Sequence, residues 1–282
     1  MKSILLLALA FSVSSAFAVG PAPEVNPLVL RYPHNKLLAD PIFEGIVKLS
    51  NCSGSLVTFK GMPKSKKALV MTNGHCVGFT KMGDVITNKP VTRVVSVFDA
   101  DKKLHKLDIT RIVYATQSYT DVTFYETTMS YQEIEDQYNV EALTIEDSLT
   151  AVGTKIDVVS GYWEILTSCE AEAIAKILKE DIWVWLNSVR YSSDCMTKGG
   201  YSGSPVIARN TRTIVAIHNT GNNGKLDCSD NNPCEANPYG EVVFQGLNRR
   251  YGQQVYMVYS CLDENFDIDL GMNGCELPKQ SW

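Results

Sequence analysis

One serine in this chain is placed where it could act as a nucleophile. Ser202 lies in Lys198-Gly199-Gly200-Tyr201-Ser202-Gly203-Ser204-Pro205, ahead of the apolar run Val206-Ile207-Ala208. Glycines on both sides permit the unusual dihedrals and close backbone approach that an exposed hydroxyl surrounded by N–H groups requires. The pattern Gly-x-Ser-Gly also occurs in ordinary turns, so the loop needs partners elsewhere in the chain. A serine hydroxyl is nearly inert at neutral pH and must give its proton to a base as it attacks. Histidine suits that exchange, because its ordinary pKa lies near neutrality. The chain has four: His34, His75, His105 and His218. His75 follows a buried-looking apolar run and adjoins a cysteine, in Val70-Met71-Thr72-Asn73-Gly74-His75-Cys76-Val77. His105 alternates with apolar neighbours in Leu104-His105-Lys106-Leu107, which predicts an exposed strand position. His34 sits in a proline-rich N-terminal stretch with nothing to support it.

The elements that must position these residues read as strands. Short β-branched and apolar runs recur from residue 45 onward, including Ser55-Leu56-Val57-Thr58-Phe59 and Ala68-Leu69-Val70-Met71-Thr72. Further runs are Arg93-Val94-Val95-Ser96-Val97-Phe98, Ile109-Thr110-Arg111-Ile112-Val113-Tyr114 and Val122-Thr123-Phe124-Tyr125. An acidic, polar stretch at residues 131–148 is expected to connect two halves. A second set of runs begins at Lys155-Ile156-Asp157-Val158-Val159 and continues to Glu241-Val242-Val243-Phe244. This spacing predicts an all-β sandwich or barrel rather than alternating helices and strands. Residues 170–180 carry helical propensity in their alanine, leucine and glutamate content. The cysteines that bracket them favour a strand or loop.

Eight cysteines fit an oxidising compartment and up to four disulfides. A zinc site is the rival, but no Cys-x-x-Cys pair is present and the spacings are irregular. The N-terminus reads as a secretory signal, with Lys2, an apolar stretch from Ile4, and Ala16-Phe17-Ala18 as the cleavage pattern. That apolar stretch is shorter than the roughly 20 residues of a membrane-spanning helix. The net charge of −5 is mild. Lys64, Lys66 and Lys67 form a basic cluster that suits a solvated hairpin loop better than a nucleic-acid patch.

Four motifs in order resemble the chymotrypsin/trypsin family of serine proteases. They are Cys52-Ser53-Gly54-Ser55-Leu56-Val57, Thr72-Asn73-Gly74-His75-Cys76, Tyr119-Thr120-Asp121-Val122 and Gly200-Tyr201-Ser202-Gly203-Ser204-Pro205. The order His, Asp, Ser is that family's and differs from subtilisins and α/β-hydrolases. The resemblance covers about residues 44–244. It implies two antiparallel six-stranded β-barrels packed together, with the active site in the cleft between them. It also implies Ser202 as nucleophile, His75 as base and Asp121 as the carboxylate that orients His75. Asp108 is the rival carboxylate, but it sits in an alternating strand that faces it to solvent. The N–H groups of Gly200 and Ser202 would form the oxyanion hole. Cys52–Cys76 matches the family disulfide beside the histidine. Cys169–Cys195, Cys228–Cys234 and Cys261–Cys275 follow from proximity along the chain, although eight cysteines allow other connectivities.

Departures from the family narrow the expectation. Vertebrate members carry an aspartate before the nucleophile that pairs with a newly cut N-terminus. Tyr201 stands there and removes that route of activation. The loop looks more like bacterial members, including the glutamyl endopeptidases. Their pocket histidine and the hydroxyl five residues before the nucleophile match His218 and Thr197, which implies an acidic residue before the scissile bond. A cysteine-bracketed tail replaces the usual final helix. Its Asp263, Asn265, Asp267 and Asp269 lack the glycine and terminal glutamate of a calcium loop, so an exposed acidic loop is expected.

The expected organisation is a signal peptide at 1–18, an arm or pro-segment at 19–43, and a first barrel at 44–148 holding His75 and Asp121. A second barrel at 149–260 holds Ser202 and the pocket, and the tail occupies 261–282. The expected protein is a secreted or periplasmic monomeric endopeptidase acting on protein or peptide substrates. No cofactor, metal, nucleic acid or membrane span is expected. The alternative is a catalytically silent homologue that binds peptides or a surface through the same cleft.

Overall fold

The computed structural model describes residues 43–79 and 81–280. The signal peptide, nearly all of the N-terminal arm and His34 lie outside the described residues. Strands β1 (Ile46–Lys48), β2 (Ser53–Thr58), β3 (Lys67–Thr72), β4 (Val85–Phe98), β5 (Leu104–Thr116) and β6 (Val122–Ser130) come first. Their antiparallel pairings run β1-β4-β5-β6-β3-β2, and β2 pairs back onto β1 to close a ring of six. Closure removes the unpaired edges that an open sheet would expose. Helix α1 (Tyr131–Tyr138) and strand β7 (Leu143–Ile145) follow.

The second half contains β8 (Lys155–Ser160), β9 (Ile165–Glu180), β10 (Trp183–Tyr191), β11 (Pro205–Ala208) and β12 (Thr213–Gly221). Then come β13 (Cys234–Ala236), β14 (Val242–Phe244) and β15 (Arg250–Gln253). The order β12-β11-β8-β9-β10-β15 closes through the β12–β15 pairing, a second antiparallel ring of six. β7 pairs in parallel with both β2 and β12 and so stitches one ring to the other. The expected all-β architecture of two six-stranded units is the observed one.

Period-two alternation explains why β2 and β3 are buried on both faces. Leu56 and Val70 point into the first ring with Leu107 and Ile112. Their neighbours Val57 and Met71 point the other way, into a cluster with Phe124, Ile214, Ile217 and Val258. That cluster draws residues from both rings, so the two halves share a core. A third cluster, including Val158, Tyr191 and Ala216, fills the second ring.

Two local expectations change, and a third, strand or loop at residues 170–180, resolves as strand. Residues 131–148 are more than a linker: Ser130 caps α1 in a capping box with Glu133, and Asn139 ends the helix in a left-handed conformation. Residues 170–180 are strand, inside β9, where pairing with β8, β10 and β13 overrides helical propensity. His105 is not exposed; its Nε2 lies 2.7 Å from Asp99 and its ring stacks on Tyr138. The C-terminal tail folds back on the rings. Leu277 joins the shared core, and the Tyr114 hydroxyl donates to the Pro278 carbonyl at 3.0 Å.

Candidate active site

His75 occupies the turn after β3. Gly74 precedes it because a Cβ there would collide with the Thr116 carbonyl and press on Asp121. The backbone N–H of His75 donates to Asp121 Oδ1 at 2.9 Å, and His75 Nδ1 lies 2.6 Å from Oδ2. One carboxylate therefore holds both the backbone and the ring. Asp121 is fully buried, whereas the His75 side chain is 30% exposed. Burial works against protonating His75, but the adjoining Asp121 charge outweighs it and holds the imidazole pKa above 6.5. Asn73 Nδ2 donates to the Asp121 carbonyl at 2.8 Å, fixing the same loop from the other side. A disulfide joins Cys52 to Cys76 and anchors the histidine turn to the start of β2.

Asp121 comes from the β5–β6 connection, and the second ring positions that connection. Tyr119 N–H donates to the Val184 carbonyl at 2.8 Å, and the Tyr119 carbonyl accepts from Leu186 at 2.9 Å. These two bonds to β10 hold Tyr119 at a φ of +61°, a region that tyrosine rarely adopts. Trp185 Nε1 donates to the Gln117 carbonyl at 3.0 Å, completing the attachment. Asp108 is exposed on β5, away from this arrangement.

Ser202 lies on the loop leading into β11, half-buried, between Gly200 at φ +91° and Gly203 at φ +81°. A side chain at Gly203 would also strike the Ser53 carbonyl and the Thr72 hydroxyl. Gly203 N–H donates to Asn73 Oδ1 at 2.5 Å and to the His218 carbonyl at 3.0 Å. Asn73 thus touches the Asp121 loop and the serine loop at once. Among the described residues, neither the Gly200 N–H nor the Ser202 N–H has a protein acceptor. No hydrogen bond joins Ser202 Oγ to His75 among the described residues either. Such bonds are often loose before substrate binds and tighten in the complex.

Ser53, in the first motif, is a hub that sequence reasoning passed over. Its N–H donates to the Ser202 carbonyl at 2.7 Å and its hydroxyl to the Gly200 carbonyl at 3.0 Å. It therefore ties the first ring to both residues whose N–H groups are free. Trp163 also packs on this loop. Its Nε1 donates to the Gly199 carbonyl at 2.7 Å, and Lys198 Nζ sits 3.7 Å over its ring. Tyr201 is buried, with its hydroxyl 2.9 Å from Thr167 Oγ1 and its ring edge-on to His218.

Beside Ser202 lies a polar pocket whose lining includes Thr197, His218, Thr220, Asn231 and Arg250. Thr197 Oγ1 and His218 Nε2 are 3.1 Å apart, and Tyr191 backs His218 with its hydroxyl 3.4 Å from Nδ1. Burial, with Arg250 and His75 as nearby positive groups, lowers the His218 pKa to about 3. His218 is accordingly neutral at any ordinary pH. Glu180 stands behind the rim, accepting from the Thr220 hydroxyl and from Asn231 N–H at 3.0 Å. Burial raises its pKa to about 7. Further disulfides join Cys169 to Cys195, Cys228 to Cys234 and Cys261 to Cys275. The sulfurs of Cys52 and Cys76 near His75 are bonded to each other, so they offer no thiolate to a metal.

An imidazole held by a buried carboxylate and a glycine-framed serine loop are the two parts that acyl transfer through a serine requires. Fold and site together define a class, the serine-type endopeptidases. The model of the trypsin-like peptidase domain matches residues 52–217, more than half of the chain, and the chain belongs to that family. No curated protein gives a significant match. Among solved structures the chain is similar to the MamO protease domain from Magnetospirillum magneticum, at 11% identity and a TM-score of 0.48. That match covers 79% of this chain and 98% of the other. It is also similar to Nocardiopsis protease, at 14% identity and a TM-score of 0.43, covering 76% and 92%. A glutamic acid specific serine protease matches at 19% identity and a TM-score of 0.40, covering 74% and 91%.

Proposed function

We propose that this serine protease is exported and cuts peptide bonds through an acyl-enzyme on Ser202. Ser202 Oγ attacks the scissile carbonyl carbon while its proton passes to His75 Nε2. The carbonyl electron pair moves onto oxygen, where the N–H groups of Gly200 and Ser202 receive it. Each such donor contributes about 3 kcal/mol to the transition state. The C–N bond then breaks, and His75 returns the proton to the leaving amine. Water repeats the sequence on the ester, releasing the acid and restoring Ser202. Asp121 keeps the proton on Nδ1, so Nε2 is free to face the serine, and it stabilises the imidazolium that forms.

The observation that carries this reading is the double hold of Asp121 on His75, through Oδ1 to the backbone and Oδ2 to the ring. The unclaimed N–H groups of Gly200 and Ser202 support it. Four disulfides support an oxidising, extracytoplasmic setting.

The reading extends to an acidic residue before the scissile bond, supported by Thr197 and His218 facing one another in the pocket beside Ser202. Cleavage of a peptide library by the mature protein tests this extension. Enrichment of Glu or Asp before the cut is the expected result. Enrichment of Lys, Arg or large apolar residues instead would refute the acidic preference while leaving the serine chemistry standing.

A further inference from the structure

The pocket needs a positive group if it is to hold a carboxylate, and His218 does not supply one. Its ring is buried and neutral, so it can donate or accept a hydrogen bond but carries no charge. Lys198 is turned onto the Trp163 ring. Glu180, behind Thr220 and Asn231, is acidic, as is Asp230 beside Asn231, and His75 is held by Asp121. That leaves Arg250.

Strand register brings Arg250 to the pocket. On β15 it pairs with Gly221 of β12, and Gly221 has no Cβ because the Arg250 side chain fills that space. Arg250 Nε donates to the Thr197 carbonyl at 3.2 Å, and Nη1 donates to the Asn222 carbonyl and, at 3.3 Å, to that of Arg249. These bonds clamp the guanidinium between the pocket's two walls. Among the described residues Nη2 has no protein acceptor, and the residue lines the pocket.

The charge is also uncompensated. Arg250 is 7% exposed yet forms no ion pair among the described residues. The neighbouring Arg190 and Arg249 take the carboxylates of Glu172 and Glu235. A buried cation bonded only to carbonyls is expensive in isolation and favours any anion that can reach it. A guanidinium stays charged throughout the working pH range, and its planar fork matches a carboxylate.

We propose that Arg250 is the residue that selects an acidic side chain before the scissile bond, with its Nη2 binding one carboxylate oxygen. Thr197 and neutral His218 orient the other oxygen by hydrogen bonding. This assignment rests on the acidic reading of the pocket and names its source of charge.

The test compares two peptides that differ only in Glu or Gln before the scissile bond. In wild-type protein the Glu peptide is expected to have the higher kcat/KM. In R250Q the ratio of kcat/KM for the Glu peptide to that for the Gln peptide should fall about 100-fold, because removing one member of a desolvated charge pair leaves the other unpaired. In R250K the charge remains, and much of the Glu preference should remain with it. Labelling by an organophosphorus serine reagent reports how much of each variant is folded and active. A Glu preference retained in R250Q would overturn the assignment to Arg250 and leave the acidic reading intact. Equal loss on both peptides, with labelling preserved, would overturn it too, since Arg250 would then only shape the loop. No Glu preference in the wild type would overturn both. A crystal structure of the wild-type protein with a glutamyl peptide aldehyde needs no variant. The carboxylate is expected within hydrogen-bond distance of Nη2, and a carboxylate bound only by Thr197 and His218 would overturn the assignment.

Discussion

In the proposed mechanism His75 is neutral when it takes a proton and charged a moment later. The Asp121 carboxylate, 2.6 Å away, favours the charged form and holds the pKa above 6.5 against the effect of burial. The base works only when unprotonated, so activity should fall as pH drops through that raised value. The acid limb of kcat/KM, which reports the free protein, should therefore have its midpoint above 6.5. Asp121→Asn removes the charge and invites the wrong tautomer. The variant should lower kcat by about 10⁴-fold and move the acid midpoint downward. An unchanged midpoint in D121N would mean that the carboxylate does not govern His75. Much of this was legible in residue types, because a base beside a glycine and a serine between glycines mark themselves. Asp121 was not: aspartates before strands are common, and only the resemblance to a family singled it out.

At the scale of elements, the site is made by turns that neighbouring strands hold in place. Gly74 and Gly203 could be recognised in the sequence as glycines, but not the carbonyls of Thr116 and Ser53 that exclude any side chain there. Those collisions depend on which strands approach, and strand neighbours are set by long-range closure of each ring. Arg250 was hidden for the same reason. Its place in the pocket follows from its register opposite Gly221, which nothing local in Arg249-Arg250-Tyr251-Gly252 announces. At residues 170–180 helical propensity competes with the strand or loop that the bracketing cysteines favour, and three strand partners decide for the strand. The capping box at Ser130 and Glu133, by contrast, is fully written in the sequence. Lys60, Lys64 and Lys66 of the β2–β3 loop, and Lys67 at the start of β3, pair with Glu133, Glu135, Glu146, Asp147 and Asp267. Those pairs are exposed, so they keep the loop soluble and add little stability.

Across the whole molecule, His75 and Asp121 from one ring meet the serine loop of the other because the rings share a core and β7 bridges them. The second half also buries a carboxylate at a cost. Glu180 has a pKa of about 7 in the folded protein against 4.5 for the ordinary side chain, with burial the main cause. As pH rises from about 4.5 to about 7 the unfolded chain ionises Glu180 first, so stability falls across that window and stays lower above it. The loss is about 3 kcal/mol. Glu180→Gln cannot ionise and escapes the loss. Thermal melts of the wild type and E180Q should therefore separate as pH goes from 5 to 8, with E180Q melting several degrees higher at pH 8 than its difference at pH 5 would give. A constant difference would mean that Glu180 ionises normally in the fold.

The central claim is that this fold places one serine for nucleophilic attack. It is tested most directly by treating the mature protein with an organophosphorus serine reagent and mapping the adduct by mass spectrometry. The expected result is a single adduct on Ser202, formed in the wild type and lost in His75→Ala, where the proposed base is missing. A wild-type protein that stays unmodified, or one labelled at another serine, would contradict it.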